Sequence, residues 1–216
     1  MPRTKGATNK DSEQRKLSIL TRIWAYMRQH KNKPISWREM ATAGEVGLAT
    51  LSHHFGKRDD VVKAILQSKR IEGEEALAIL AKPAGNFDTS IRQALEHLLL
   101  GLVDYDVGDL VSLGLLEGIN HESIGPVFVE EGLEPIIQAA IQRLKSHQER
   151  EEMRSDVDLR IAAISLISPL IIAYLHQTNL GGKEAHPLDL QAIVEQTCDT
   201  FVRAYSIPTK DAANTT

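Results

Sequence analysis

Apolar residues return at three- and four-residue spacing along almost the whole chain, and no stretch sustains the alternation of a half-buried strand. That periodicity predicts an all-α protein. Leu17, Leu20, Ile23, Trp24 and Met27 mark an amphipathic helix over 11–30, which "HKNKP" ends because the residue before Pro34 is pushed out of the helical region. "SWRE" fits a capping box, in which the Ser36 side chain accepts from a backbone N–H while Glu39 reaches back. It opens a short helix over 36–43; "GEVG" breaks that helix, and a second short one covers 48–54. Beyond Gly56, helices are expected over 58–81, 88–104 and 107–118. "HESIGP" reads as a loop, followed by a helical stretch centred on 133–150. Asp156 or Ser155 is expected to cap a helix over 157–178, and the last helix covers 188–206.

Composition narrows the class. The most apolar run, "IAAISLISPLIIAYL" (161–175), is 15 residues long, short of the roughly 20 that a membrane span needs. It reads as a buried helix. The single cysteine, Cys198, leaves no internal disulfide framework, and the polar N-terminus lacks a signal peptide's apolar core. A soluble cytoplasmic protein with no membrane partner is expected.

Charge is unevenly spread. The first 60 residues hold 12 Lys and Arg against 6 Asp and Glu, a net of +6, which leaves −10 for the rest given −4 overall. A basic head on an acidic body suggests that the head meets a polyanion. Within it, "LATLSHHFGKRDD" (48–60) concentrates histidines, basic and acidic residues beside one phenylalanine.

Two short helices joined by a tight turn and preceded by a longer one form a helix-turn-helix candidate. Residues 48–54 have the length of a helix that enters a major groove. On it, Leu51 and Phe55 should pack inward with Met40, Ala41 and Val46, leaving Leu48, Ala49, Ser52 and His53 outward. An exposed leucine can touch a thymine methyl, and Thr50, Ser52 and His54 can donate to phosphates. Lys57 and Arg58 at the next helix start make a further phosphate site.

Rival chemistries lack their motifs. Adjacent His53 and His54 diverge by about 100° on a helix and do not readily share a metal. No H-E-x-x-H, C-x-x-C, calcium loop, G-x-S-x-G, P-loop or G-x-G-x-x-G is present. Neither an enzyme nor a bound metal or cofactor is expected.

The run from 19 to 66 resembles the DNA-binding region of TetR-type transcriptional regulators, whose pattern is close to I-A-x-x-A-G-V-S-x-x-T-L-Y-x-H-F-x-S-K-x-x-L. Met40, Ala41, Gly44, Val46, Thr50, Leu51, His54, Phe55 and Val61 fit it directly or conservatively, and Arg58 stands in the place of a phosphate-binding lysine. Three positions depart: Glu45 replaces the turn glycine, Gly47 the serine cap and Ser52 the phosphate-contacting tyrosine. "EEMRSDVDLRIAAISLISPLI" (151–171) is similar to the family's link into its eighth helix.

The resemblance implies an N-terminal three-helix DNA-binding head and a larger helical ligand-binding and dimerisation domain. The expected divisions are a flexible arm over 1–10, the head over 11–58, the effector and dimer domain over 59–206 and a disordered tail over 207–216. Ser36, Trp37, Gly47, Leu48, Ala49, Thr50, Ser52, His53, His54, Lys57 and Arg58 become the DNA-binding candidates. The implied partners are a palindromic double-stranded operator, a second copy of the chain, and a small apolar or amphipathic effector. Regulation by a protein partner, or DNA binding without an effector, is the alternative.

In the body, helix 188–206 puts Leu190, Ile193, Val194, Thr197, Phe201 and Tyr205 on one stripe, opposite Glu195, Asp199 and Arg203. Such a stripe seeks a partner and is the expected dimer face. Helix 157–178 is apolar almost all round, so one side should face a partner and the other its own core. Ala162, Ser165, Pro169, Ile172 and His176 share a narrow stripe on it. Polar candidates for an effector pocket are His97, His121, Gln138, Ser165 and His176.

Overall fold

The computed structural model describes residues 7–30 and 33–207. The arm expected over 1–10 lies outside them except for the helical backbone of 7–10, and the expected tail except for Ile207. The helices are α1 (Ala7–Gln29), α2 (Trp37–Ala43), α3 (Leu48–Phe55), α4 (Arg58–Glu72), α5 (Glu74–Ala81), α6 (Phe87–Asp104) and α7 (Val107–Asn120). There follow α8 (Gly125–Phe128), a π-helical turn (Val129–Leu133), α9 (Glu134–Glu149), α10 (Leu159–Thr178), α11 (Gly182–Ala185) and α12 (Leu190–Tyr205). No strand forms among the described residues beyond one isolated bridge between Met153 and Ser206.

Three local expectations change. The helix expected over 58–81 breaks at Gly73 into α4 and α5, at the residue with the weakest helical preference after proline. The loop read in "HESIGP" already contains the start of α8 at Gly125. Asp158, not Asp156 or Ser155, caps α10, accepting from the N–H groups of Arg160 and Ile161 at 2.8 and 3.0 Å. Asp156 is held instead by the Arg154 guanidinium, at 3.0 and 2.7 Å.

The chain forms two compact units, one from 1–71 with 112–131 and the other from 72–111 with 132–216. In the first, Ile19, Ile23 and Met27 of α1 are buried, as are Met40, Leu51, Val61 and Ile65. Glycines bring backbone and ring close together there. A Cβ at Gly114 would overlap the Phe128 ring, and one at Gly118 would sit 3.2 Å from the Gly125 Cα.

The second unit is built around α10, which packs on α6, α9, α11 and α12, while α5 packs on α9. Ala162, Ala163, Leu166, Ile167, Leu170 and Tyr174 of α10 are buried. By length and composition alone α10 could cross a membrane; here its buried face belongs to this core. Arg143 of α9 is almost wholly buried and satisfies backbone rather than a carboxylate. It donates to the carbonyls of Leu80 (2.7 Å) and Ile79 (2.9 Å), and to the carbonyl and hydroxyl of Ser90 (2.9 and 2.8 Å). The α5 carbonyls left open at its C-terminus are thereby closed.

Candidate nucleic-acid interface

The reading head is built by local rules. Ser36 caps α2 as the sequence suggests: its hydroxyl accepts from Glu39 N–H at 3.3 Å, and the Glu39 carboxylate accepts from Ser36 N–H at 2.8 Å. Those bonds, with the Lys33 ammonium 3.1 Å away, hold the Glu39 carboxyl down at about 2. At the far end of α2, the Arg22 guanidinium of α1 donates to the Gly44 carbonyl from Nε (3.1 Å) and Nη2 (2.8 Å). Glu45 then takes φ 55°, the left-handed region that favours glycine. This is the position where the resembled pattern has its glycine.

Gly47 starts α3 with extended backbone and no side-chain cap. Leu51 is fully buried on the inner face. Phe55 and Val46 are half-buried, while Leu48, Ala49, Ser52 and His53 are exposed. The expected inward and outward faces of the reading helix therefore hold. The Ser52 hydroxyl donates to the Gly56 carbonyl at 3.3 Å. Trp37, Thr50 and His54 are half-buried, and Lys57 is exposed. The His53 and His54 rings lie 5.5 Å apart at 60°. Burial, then the charges of His53, Arg15 and Lys16, push the His54 imidazole below its ordinary value, favouring the neutral ring. No cluster of three potential metal ligands occurs among the described residues.

Arg58 corrects the sequence reading. Its guanidinium does not stand free for a phosphate. Nη2 and Nη1 donate to the two carboxylate oxygens of Glu117 at 2.6 and 2.9 Å, and Nε donates to the Ile35 carbonyl at 2.7 Å. Glu117 is fully buried, and His121 Nε2 lies 3.5 Å from its carboxylate. A buried carboxylate needs such a partner, and Arg58 supplies it. Beside it, the Ser123 hydroxyl donates to Asp59 at 2.6 Å, which holds the Asp59 carboxyl below its ordinary value. Asp60 accepts from Lys57 N–H at 3.1 Å, closing the first turn of α4.

Glu117, Ser123 and Arg22 were not singled out as site residues. For Glu117 a signal existed: it is the lone acid of "LVSLGLLEGIN" (110–120), an apolar run in which a carboxylate demands a partner.

The five effector candidates are not gathered by any bond. His97 Nε2 meets the Ala76 carbonyl at 2.9 Å, Gln138 donates to Glu134 at 2.6 Å, and the Ser165 hydroxyl donates to the Ile161 carbonyl at 2.9 Å. His176 pairs with Gln177 at 2.8 Å, while His121 stands beside Glu117 in the first unit.

The stripe expected as a dimer face on α12 packs in large part on its own chain. Val194 and Phe201 are buried in the chain's own core, with Leu190, Ile193 and Tyr205 packed against it and Thr197 half-buried. That stripe lies against α6 and α10 of the same chain. On α10 a run of apolar residues stays open: Ile161, Ile164 and Ile172 are 63%, 40% and 64% exposed, with Ser165 and Pro169 exposed between them.

Solved structures share this fold. A protein described as a TetR-family transcriptional regulator from Mesorhizobium loti MAFF303099 superposes with a TM-score of 0.73 at 16% identity, over 91% of this chain and 98% of that one. The fold is that of TetR-family transcriptional regulators. SmeT, the repressor of the Stenotrophomonas maltophilia multidrug efflux pump SmeDEF, gives 0.63 at 15% identity over 89% of this chain and 90% of its own. FadR of Bacillus subtilis, solved with stearoyl-CoA, gives 0.66 at 12% identity over 86% and 97%. No family model matches the sequence, and a search of curated proteins finds no match. Within this TetR-type fold, α2 and α3 are the helix-turn-helix pair.

Proposed function

We propose that the protein is a cytoplasmic DNA-binding transcriptional regulator, not an enzyme, that acts as a homodimeric repressor on a palindromic operator. The observation that carries this reading is α3: a short helix anchored by Leu51, with Leu48, Ala49, Ser52 and His53 facing outward and α2 capped beside it. Ser36, Trp37, Gly47, Thr50, His54 and Lys57 lie around that face as candidates for backbone contact. Arg58 acts from behind it as a positioning residue.

The uncovered isoleucines of α10 support self-association, since a C2 dimer would bury the same stripe from both copies. Two heads about one helical turn apart then match two half-sites. Release by a small apolar or amphipathic effector fits the apolar second unit, and FadR of the same fold holds stearoyl-CoA. In this reading the effector changes the tilt of α4.

Selection of genomic fragments by the purified protein at physiological salt, followed by sequencing, tests the proposal. A shared palindrome is the expected result. Binding without sequence preference, lost as salt rises, would overturn it.

A further inference from the structure

Granted that α3 reads DNA, its chemistry restricts what it can read. The helix is Leu-Ala-Thr-Leu-Ser-His-His-Phe (48–55) and contains no Arg, Lys, Asn, Gln, Asp or Glu. Those are the side chains that fork onto guanine or adenine, or accept from cytosine, in the major groove. Leu51 is inside the head. Ser52 has its hydroxyl turned back to the Gly56 carbonyl, and His53 can offer one bond at a time, not a fork.

What the helix presents at its leading end is hydrocarbon. Leu48 is its first residue and is 43% exposed; Ala49 follows it, also exposed. Ahead of them Gly47 has no neighbour within 4 Å of where a Cβ would stand, so nothing at the tip keeps the backbone from approaching a base pair. The first turn of a reading helix is the part that meets base edges. The nearest cation on α4, Arg58, is held by Glu117 and Ile35, and Arg38 and Lys57 lie outside α3.

We infer that Leu48 and Ala49 are specificity-determining residues, and that α3 recognises its half-site mainly through the C5-methyl groups of thymine rather than through bidentate bonds to purines. The inference rests on the DNA-binding reading above. It adds that the ligand is a methyl pattern, which uracil lacks.

The test uses the full chain. A random duplex library is selected at physiological salt, and each thymine of the enriched half-site is then replaced singly by uracil. One or two replacements per half-site are expected to weaken binding by about fourfold each, the factor for withdrawing one methyl-sized group from an apolar contact. Leu48→Ala, an exposed position that leaves the head folded, should abolish the distinction between thymine and uracil at one of them. An enriched site whose affinity is indifferent to uracil at every thymine overturns this inference and leaves the regulator reading standing. Failure to enrich any sequence overturns both.

Discussion

Arg58 and Glu117, 59 residues apart in the chain, form a two-pronged ion pair whose carboxylate is fully buried. The pair ties the first turn of α4 to the last turns of α7 within one unit. Removing one partner of such a pair leaves an uncompensated buried charge, at a typical cost of about 3–5 kcal/mol. Glu117→Ala and Arg58→Ala should each destabilise the protein by about that much in urea titrations. Arg58→Met with Glu117→Leu should recover most of the loss.

The same geometry separates positioning from contact. Lys57→Ala should lower the slope of log affinity against log salt by about 1, the signature of a lost phosphate contact. Arg58→Lys keeps a cation but not the fork onto Glu117, and should weaken binding with the slope unchanged. Gel-shift titrations over a salt series read both.

How much of this was open to sequence reasoning depends on range. The Ser36–Glu39 box and the inward turn of Leu51 were legible, because each needs only neighbours three or four residues away. The glycine pattern likewise marked position 45, where the backbone adopts φ 55°. The carboxylate partner of Arg58 was not legible because it lies on another helix, and an isolated basic residue at a helix start looks the same whether it meets a phosphate or a carboxylate. The α12 stripe poses a different question. Amphipathicity says that a face must be covered, and it does not say whether by the same chain or another.

Glu45 carries backbone strain of about 1–2 kcal/mol as a non-glycine residue in the left-handed region. Its N–H donates to the Thr42 carbonyl at 3.1 Å, and its largely exposed side chain pairs with Arg22 at 3.7 Å, which is worth little. Glu45→Gly should raise the melting temperature by about 2–4 °C. Thermal unfolding followed by circular dichroism checks it, and Gly47→Ser should add a few tenths of a kcal/mol as a cap.

His147 is fully buried beside the Phe87 ring, bonded to Glu152 through Nδ1 while Nε2 has no partner among the described residues. Burial pushes the imidazole below its ordinary 6.5, with Glu152 opposing. The unfolded chain therefore binds the extra proton first, so stability is intact above about pH 6.5 and declines as pH falls below it. His147→Asn, which can still donate to Glu152, should flatten that decline between pH 6.5 and 5. Half-buried His54 shifts in the same direction, so the difference between the two proteins is the quantity to measure by denaturant titration.

Ile164→Asp, placed on the open stripe of α10, should convert a dimer to a folded monomer in sedimentation equilibrium. Phe201→Ala, in the core, should instead lower stability by about 3–5 kcal/mol.

The glycines of α7 set the terms on which it can move. Phe128 occupies the space over Gly114, and the Gly125 backbone that over Gly118. A slip of α7 by one residue in either direction would bring Leu113 or Leu115 onto the ring. Sliding along the axis is thus blocked, and any displacement of α7 must carry α8 with it as one piece. Glu117 sits between the two notches, so a motion of that piece would pull directly on Arg58 and the start of α4, with no slack to absorb it.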